Sequence, residues 1–120
     1  QLKRFPKPGE TLAATSFAKH FGGKGANQAL ATHRMGAEVT LIGAVGKDAD
    51  GMEYLAHLER AGLSSHRILQ IHESHTGMAY ITVDENAENS IVIAAGANGA
   101  IRHEDLSDLF KELSSFDDKQ

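Results

Sequence analysis

Phe21-Gly22-Gly23-Lys24-Gly25-Ala26-Asn27-Gln28-Ala29 is the most informative stretch of the chain. Its glycines allow positive φ and let a backbone approach a ligand with no Cβ in the way. From Ala26 onward the set Ala26, Ala29, Leu30 and His33 has helical spacing, and Gly36 stands where a helix C-terminal glycine belongs. The segment therefore predicts a glycine turn feeding a helix. Such a helix start leaves unpaired N–H groups that favour anions or oxygen-rich ligands. Lys24 adds a charge, and Asn27 projects from the first turn with both a donor and an acceptor. Two nucleotide motifs fail on these residues. Neither Gly23-Lys24-Gly25 nor Gly46-Lys47-Asp48 completes a P-loop, and Gln28 occupies the last place of a would-be G-x-G-x-x-G. On the residues alone, a plain helix-entry turn, a phosphate site and a polyol site all stay open.

Working outward, Val39-Thr40-Leu41-Ile42-Gly43-Ala44-Val45 is a nearly continuous apolar run, as expected of a buried parallel strand. Asp48 or Asp50 caps a second helix carrying Met52, Leu55, Ala56, Leu58 and Ala61 before Gly62. Ile68 to His72 reads as a weak strand. Gly77 to Val83 reads as a strong one, joined to Ser90–Ala94 through the polar residues 84–89 in a hairpin. Gly96-Ala97-Asn98-Gly99 reads as a loop, and Glu104 to Leu113 as an amphipathic helix with Leu106, Leu109, Phe110 and Leu113 on one face. Upstream of the glycines, Pro6 and Pro8-Gly9 punctuate an extended segment from Glu10 to Phe21. Strand alternating with helix predicts an α/β fold with the start of a parallel sheet flanked by helices, plus a small second β-sheet.

Composition narrows the class. The 120 residues suit one ordinary domain, and a hydrophobic share of 41% is too high for a disordered segment. No apolar run approaches the roughly 20 residues of a membrane-spanning helix. The first residues lack the apolar stretch of a secretory signal. Zero Cys removes disulfides, thiolate metal sites and cysteine nucleophiles, and suits a reducing, cytoplasmic setting. A net charge of −4 with few aromatics argues against nucleic-acid partners.

Other constellations point to bland readings. His72-x-x-His75 has ligand spacing for a helix but falls on strand and loop, so no metal site is expected and the histidines read as surface residues. His33 reads as a core-edge residue. Asp84, Glu85 and Glu88 read as a solvated hairpin tip, and Ser64-Ser65-His66 has no triad geometry implied by adjacency.

The glycine string resembles the N-terminal signature of the ribokinase, or PfkB-type, carbohydrate kinase family. Further landmarks follow in the family's order: Gly36-Ala37, Gly43-Ala44-Val45-Gly46-Lys47-Asp48, Gly51, Ala61-Gly62-Leu63, Thr76-Gly77, Glu88-Asn89 and Gly96-Ala97-Asn98. Lys24 makes the string more similar to ribokinases than to fructokinases or adenosine kinases. The resemblance implies an incomplete ribokinase-like domain, with lid segments at about 8–21 and 76–95 and α/β core segments at about 22–72 and 96–120. It implies that Gly23, Lys24 and Asn27, with the backbone of Gly25 and Ala26, hydrogen-bond sugar hydroxyls, while Ala79, Ile81 and Ile93 form an apolar wall against the sugar. Lid closure would exclude water from phosphoryl transfer, and the lid is expected to pair two copies into a homodimer.

The resemblance also implies what this chain lacks. The family's Gly-Ala-Gly-Asp turn with its catalytic base, its Asn-x-x-Glu motif and its first strand with sugar-binding Asn and Asp do not occur in the 120 residues. No catalytic, cofactor-binding or metal residue is therefore assigned here. The expectation is part of an ATP-dependent kinase phosphorylating ribose or a similar small sugar, inactive as this chain alone, and the absent initiator Met suits an incomplete chain. ATP and Mg²⁺, with a monovalent cation, are the implied cofactors of the intact enzyme, none bound by this chain alone. The alternative is a non-catalytic sugar-binding or dimerisation module.

Overall fold

The computed structural model of the chain describes residues 1–117. These form two compact units, one of Gln1–Phe21 with Met78–Ala94, the other of Gly22–Gly77 with the residues from Ala95 onward.

The larger unit is α/β. Helix α1 (Lys24–Arg34) starts two residues earlier than its apolar spacing suggests, because the N-cap Gly23 turns the chain at φ 94. It ends at Gly36, whose φ of 92 is the left-handed conformation that a helix-terminating glycine supplies. Strand β1 (Gly43–Gly46) pairs in parallel with β2 (Ile68–Ile71), from Gly43 opposite Ile68 to Gly46 opposite Ile71. Helix α2 (Ala49–Arg60) connects them, as parallel strands require. A 3₁₀ turn at Gly96–Ala100 and helix α3 (His103–Asp117) complete the unit. The core joins Ala29 and Leu30 of α1 to Leu58 of α2 and Leu63, with Val39, Leu41, Tyr54, Ala61 and Ile68 packed against them. Ala29 and Leu30 are thus the buried stripe that the helical spacing marked.

The smaller unit is a hairpin with its N-terminal neighbours. Strands β3 (Met78–Val83) and β4 (Asn89–Ala94) are antiparallel, with Met78 opposite Ala94 and Val83 opposite Asn89. Leu2 is buried, and its N–H donates to the Val83 carbonyl at 2.8 Å. Thr15 N–H donates to the Gln1 carbonyl at 2.8 Å.

Several expectations need correction. The apolar run Val39–Val45 becomes strand only from Gly43, since β2 offers partners only to Gly43–Gly46; Val39 and Leu41 serve as packing instead. Glu10–Phe21 belongs to the hairpin's unit but forms no strand, being tied by isolated bonds rather than a ladder. Met52 on α2 and Phe110 on α3 lie exposed, although the spacing predicts each on an apolar face. Gly96–Gly99 is a 3₁₀ turn rather than an irregular loop. Asp84 is 6% exposed rather than solvated. Its carboxylate accepts from Asn86 N–H (2.9 Å) and Glu88 N–H (3.0 Å), closing a turn in which Ala87 sits at φ 62. Glu85 and Glu88 are exposed, as expected.

Candidate functional site

The glycine turn and the first turn of α1 place Gly23, Lys24, Gly25, Ala26 and Asn27 together. Helix geometry leaves the amides of Lys24, Gly25 and Ala26 without an intrahelical carbonyl, and the first helical bond is Asn27 N–H to the Gly23 carbonyl at 2.9 Å. No side chain caps this helix. Ala26 is buried, while Lys24, Gly25 and Asn27 are exposed. A Cβ at Gly22 or Gly25 would meet no heavy atom within 4 Å. The backbone here is open to an approaching ligand. From α2, the Tyr54 hydroxyl donates to the Gly22 carbonyl at 2.5 Å. Tyr54 is absent from the apolar stripe of Met52, Leu55, Ala56, Leu58 and Ala61 that the sequence predicts for α2. Its spacing of four from Leu58 places it on the inner face, but a partner 32 residues away has no signature in sequence.

A second polar node lies where β1 ends and α2 begins. The Asp48 carboxylate caps α2 by accepting from Gly51 N–H at 2.8 Å. It also accepts from Thr76 N–H (2.8 Å) and from the Thr76 hydroxyl (2.6 Å). The same hydroxyl oxygen accepts from Gly46 N–H at 3.0 Å. These bonds, the Thr76 hydroxyl foremost, hold the Asp48 carboxyl below the usual carboxylate range. A side chain at Gly46 would collide with the Ser74 carbonyl, and one at Gly51 with the Gly46 carbonyl. The choice between Asp48 and Asp50 is thereby resolved: Asp48 caps, and Asp50 lies in the first turn.

In the hairpin unit, pairing of Ala79 with Ile93 and of Ile81 with Ile91 puts Ala79, Ile81 and Ile93 on one face. The opposite face carries Tyr80 and Val92, paired with each other. Tyr80, Ile81, Ile91, Val92 and Ile93 are all more than half exposed.

The remaining candidates do not converge. A cavity of about 730 Å³ lined by His33, Leu63, His66 and Arg67 includes none of the residues expected to bind sugar. His33 is half-buried against Gly62. His72 follows β2, and the ring of His75 bonds the neighbouring Thr76 carbonyl instead of facing His72. Ser65 donates to Glu59 through both N–H (2.8 Å) and hydroxyl (2.7 Å), which is a helix-end contact rather than a triad. Among the described residues no three His, Asp or Glu side chains gather to hold a metal ion, and no helix is long and apolar enough to cross a membrane.

Known proteins resemble this chain over most of its length. A family model described as pfkB family carbohydrate kinase matches residues 1–117. A ribokinase of Haemophilus influenzae is 44% identical over 94 residues, which cover 78% of this chain and 31% of that protein. The solved structure of ribokinase from Giardia lamblia superposes with a TM-score of 0.78 at 42% identity, covering 90% of this chain and 32% of that one. Arabidopsis thaliana ribokinase, solved in complex with ribose and ATP, gives a TM-score of 0.73 at 33% identity, covering 80% and 31%. The chain thus spans about a third of the length of these proteins.

Proposed function

The chain belongs to the pfkB family of carbohydrate kinases, and on that premise we propose that the protein transfers the terminal phosphoryl group of ATP to a primary hydroxyl of ribose or a similar small sugar. The observation that carries this reading is the uncapped, sterically open glycine turn before α1, with Lys24 and Asn27 exposed beside it. Each sugar hydroxyl both donates and accepts, so it needs a surface offering both. The first amides of α1 and Lys24 donate, and the Asn27 amide does both. A site that pairs every hydroxyl rejects sugars that lack one, because a buried group is then left unpaired.

Gly23, Lys24, Gly25, Ala26 and Asn27 are assigned to the sugar. The face of Ala79, Ile81 and Ile93 is assigned, by itself, to the carbon-bound hydrogens of such a ligand. The base that takes the sugar's hydroxyl proton and the ATP site are assigned outside these 120 residues. ATP, Mg²⁺ and a monovalent cation are the proposed cofactors, in a cytoplasmic setting. Mg²⁺ would neutralise charge on the transferring phosphoryl group.

Calorimetry on the full-length protein with D-ribose and, separately, a non-hydrolysable ATP analogue tests the assignment. Lys24→Ala and Asn27→Ala should each weaken ribose binding about tenfold, the size of one lost charge-assisted or fully buried hydrogen bond, with nucleotide affinity kept within about twofold. Ribose affinity unchanged in both variants would remove the sugar from this turn.

The exposed apolar hairpin supports a second feature of the reading. A two-stranded sheet is marginal alone, and uncovered apolar faces and edges favour association. We assign this hairpin to pairing with a second copy of the chain.

A further inference from the structure

Tyr54 links the core of the α/β unit to the glycine turn. Its ring packs against the cluster of Ala29, Leu30, Leu58 and Leu63, contributed by α1, α2 and the residue after Gly62. That packing fixes the ring before its hydroxyl makes any bond. The hydroxyl then donates to the Gly22 carbonyl at 2.5 Å, and its oxygen lies 3.5 Å from where a Cβ on Gly23 would sit. The turn itself is built of residues with little hold of their own. Gly22 and Gly25 have open space around them, and Gly23 caps α1 without a side chain.

The peptide bond turns this contact into an orientation. The Gly22 carbonyl and the Gly23 N–H belong to one rigid trans plane and point in opposite directions. A hydroxyl that holds the carbonyl toward α2 therefore turns the Gly23 N–H away from α2. The same plane sets the entry to α1, on whose first turn Lys24 and Asn27 stand.

We propose that Tyr54 is a positioning residue of the sugar site, its hydroxyl fixing the Gly22–Gly23 peptide so that the Gly23 amide and the first turn of α1 face the sugar. The inference rests on the sugar-binding reading of the glycine turn. Burial raises the Tyr54 hydroxyl above the usual phenol range, so the group stays protonated and able to donate at physiological pH. Loss of the hydroxyl frees the turn to rotate, and the cost falls on sugar binding rather than on nucleotide.

Tyr54→Phe in the full-length protein removes the oxygen and keeps the ring. In steady-state assays with D-ribose and ATP, KM for ribose should rise about 3- to 10-fold, in line with one hydrogen bond, while kcat and KM for ATP stay within about twofold. A merely structural contribution would instead lower kcat through a smaller active fraction and leave both KM values in place; that result overturns the proposal. Amide exchange at Asn27, whose N–H donates to the Gly23 carbonyl at 2.9 Å, should quicken in Tyr54→Phe relative to Leu58 and Leu63, and an unchanged Asn27 rate also overturns it. Asn27→Ala is the companion variant. If it raises KM for ribose and Tyr54→Phe does not, the positioning role falls while the sugar assignment stands. If neither moves, the sugar assignment falls and takes this inference with it.

Discussion

Asp48 offers the sharpest test of how the α/β unit is held. Its carboxylate accepts three hydrogen bonds, one from α2 and two from Thr76. Asp48→Ser separates these roles, since serine is a good N-cap but its shorter side chain cannot also reach Thr76. Each bond to a charged acceptor contributes about 1.5 kcal/mol where the group is only partly buried. Asp48→Ser should therefore cost about 3 kcal/mol. Asp48→Ala should cost about 1 kcal/mol more, for the lost cap. Thr76→Val deletes the hydroxyl that both donates to Asp48 and accepts from Gly46 N–H, at about 2 kcal/mol. Asp48→Ser and Thr76→Val remove one shared bond, so the double variant should fall short of additivity by about 1.5 kcal/mol. Urea unfolding of the full-length protein, followed by circular dichroism, measures all four corners of the cycle.

The pH dependence adds an independent check. The Asp48 carboxyl is held low in the folded state. Its stabilisation is therefore complete above the ordinary aspartate range and disappears as pH falls through the lowered folded value. The deficit of Asp48→Ser should be full at neutral pH and shrink below about pH 4. Two single variants that add within about 0.5 kcal/mol, with the same deficit at pH 7 and pH 3, would refute the node as a coupled charge-assisted network.

Three further outcomes follow from the hairpin unit. Glu10 is held to about 2 by the Arg4 guanidinium first and the Lys7 N–H second; its carboxyl resonance should titrate near there by NMR and move upward in Arg4→Ala. Asp84→Ala should leave the amides of Asn86 and Glu88 without their acceptor and cost about 2 kcal/mol, seen as faster exchange across β3 and β4 but not at Leu58. Val92, 64% exposed on the hairpin face opposite Ala79, Ile81 and Ile93, should abolish self-association in sedimentation when changed to Lys, and an unchanged association constant would remove the hairpin from the interface.

The helices and the hairpin were legible because each carries its signal locally. Ala29 and Leu30 mark the inner stripe of α1, Asp48 is a recognisable cap, and Ser90 to Ala94 alternates against Met78 to Val83. Most of the failures share one cause, which is that the deciding partner lies far along the chain. Val39–Ile42 has the composition of strand, but pairing depends on where β2 begins, at Ile68 opposite Gly43. Asp84 is a local exception: it reads as solvent-facing until the turn folds around it and presents the amides of Asn86 and Glu88, two and four residues on. Tyr54 and Gly22, or Asp48 and Thr76, are joined across 32 and 28 residues by packing that no local pattern encodes. The family motif found the glycine turn, and the three-dimensional contacts show what holds it in place.

The glycines divide into those the fold needs and those it does not, and this division bears on function. At Gly46, Gly51 and Gly96 a Cβ would collide with neighbouring backbone, so folding alone accounts for them. Gly23 is accounted for by its φ of 94. Gly25 has neither reason. It lies inside α1, in ordinary helical conformation, with nothing within 4 Å of a Cβ. Glycine in a helix is less favourable than alanine by about 0.5–1 kcal/mol, so Gly25→Ala should leave stability unchanged or raise it slightly. A residue that costs stability and relieves no strain is explained if something outside the chain must come close to its backbone. Under the sugar reading, Gly25→Ala should thus weaken D-ribose binding while thermal stability holds or improves. Stability that falls would show a packing need the structure does not contain, and unchanged ribose affinity would mean that the sugar does not approach the backbone at this turn.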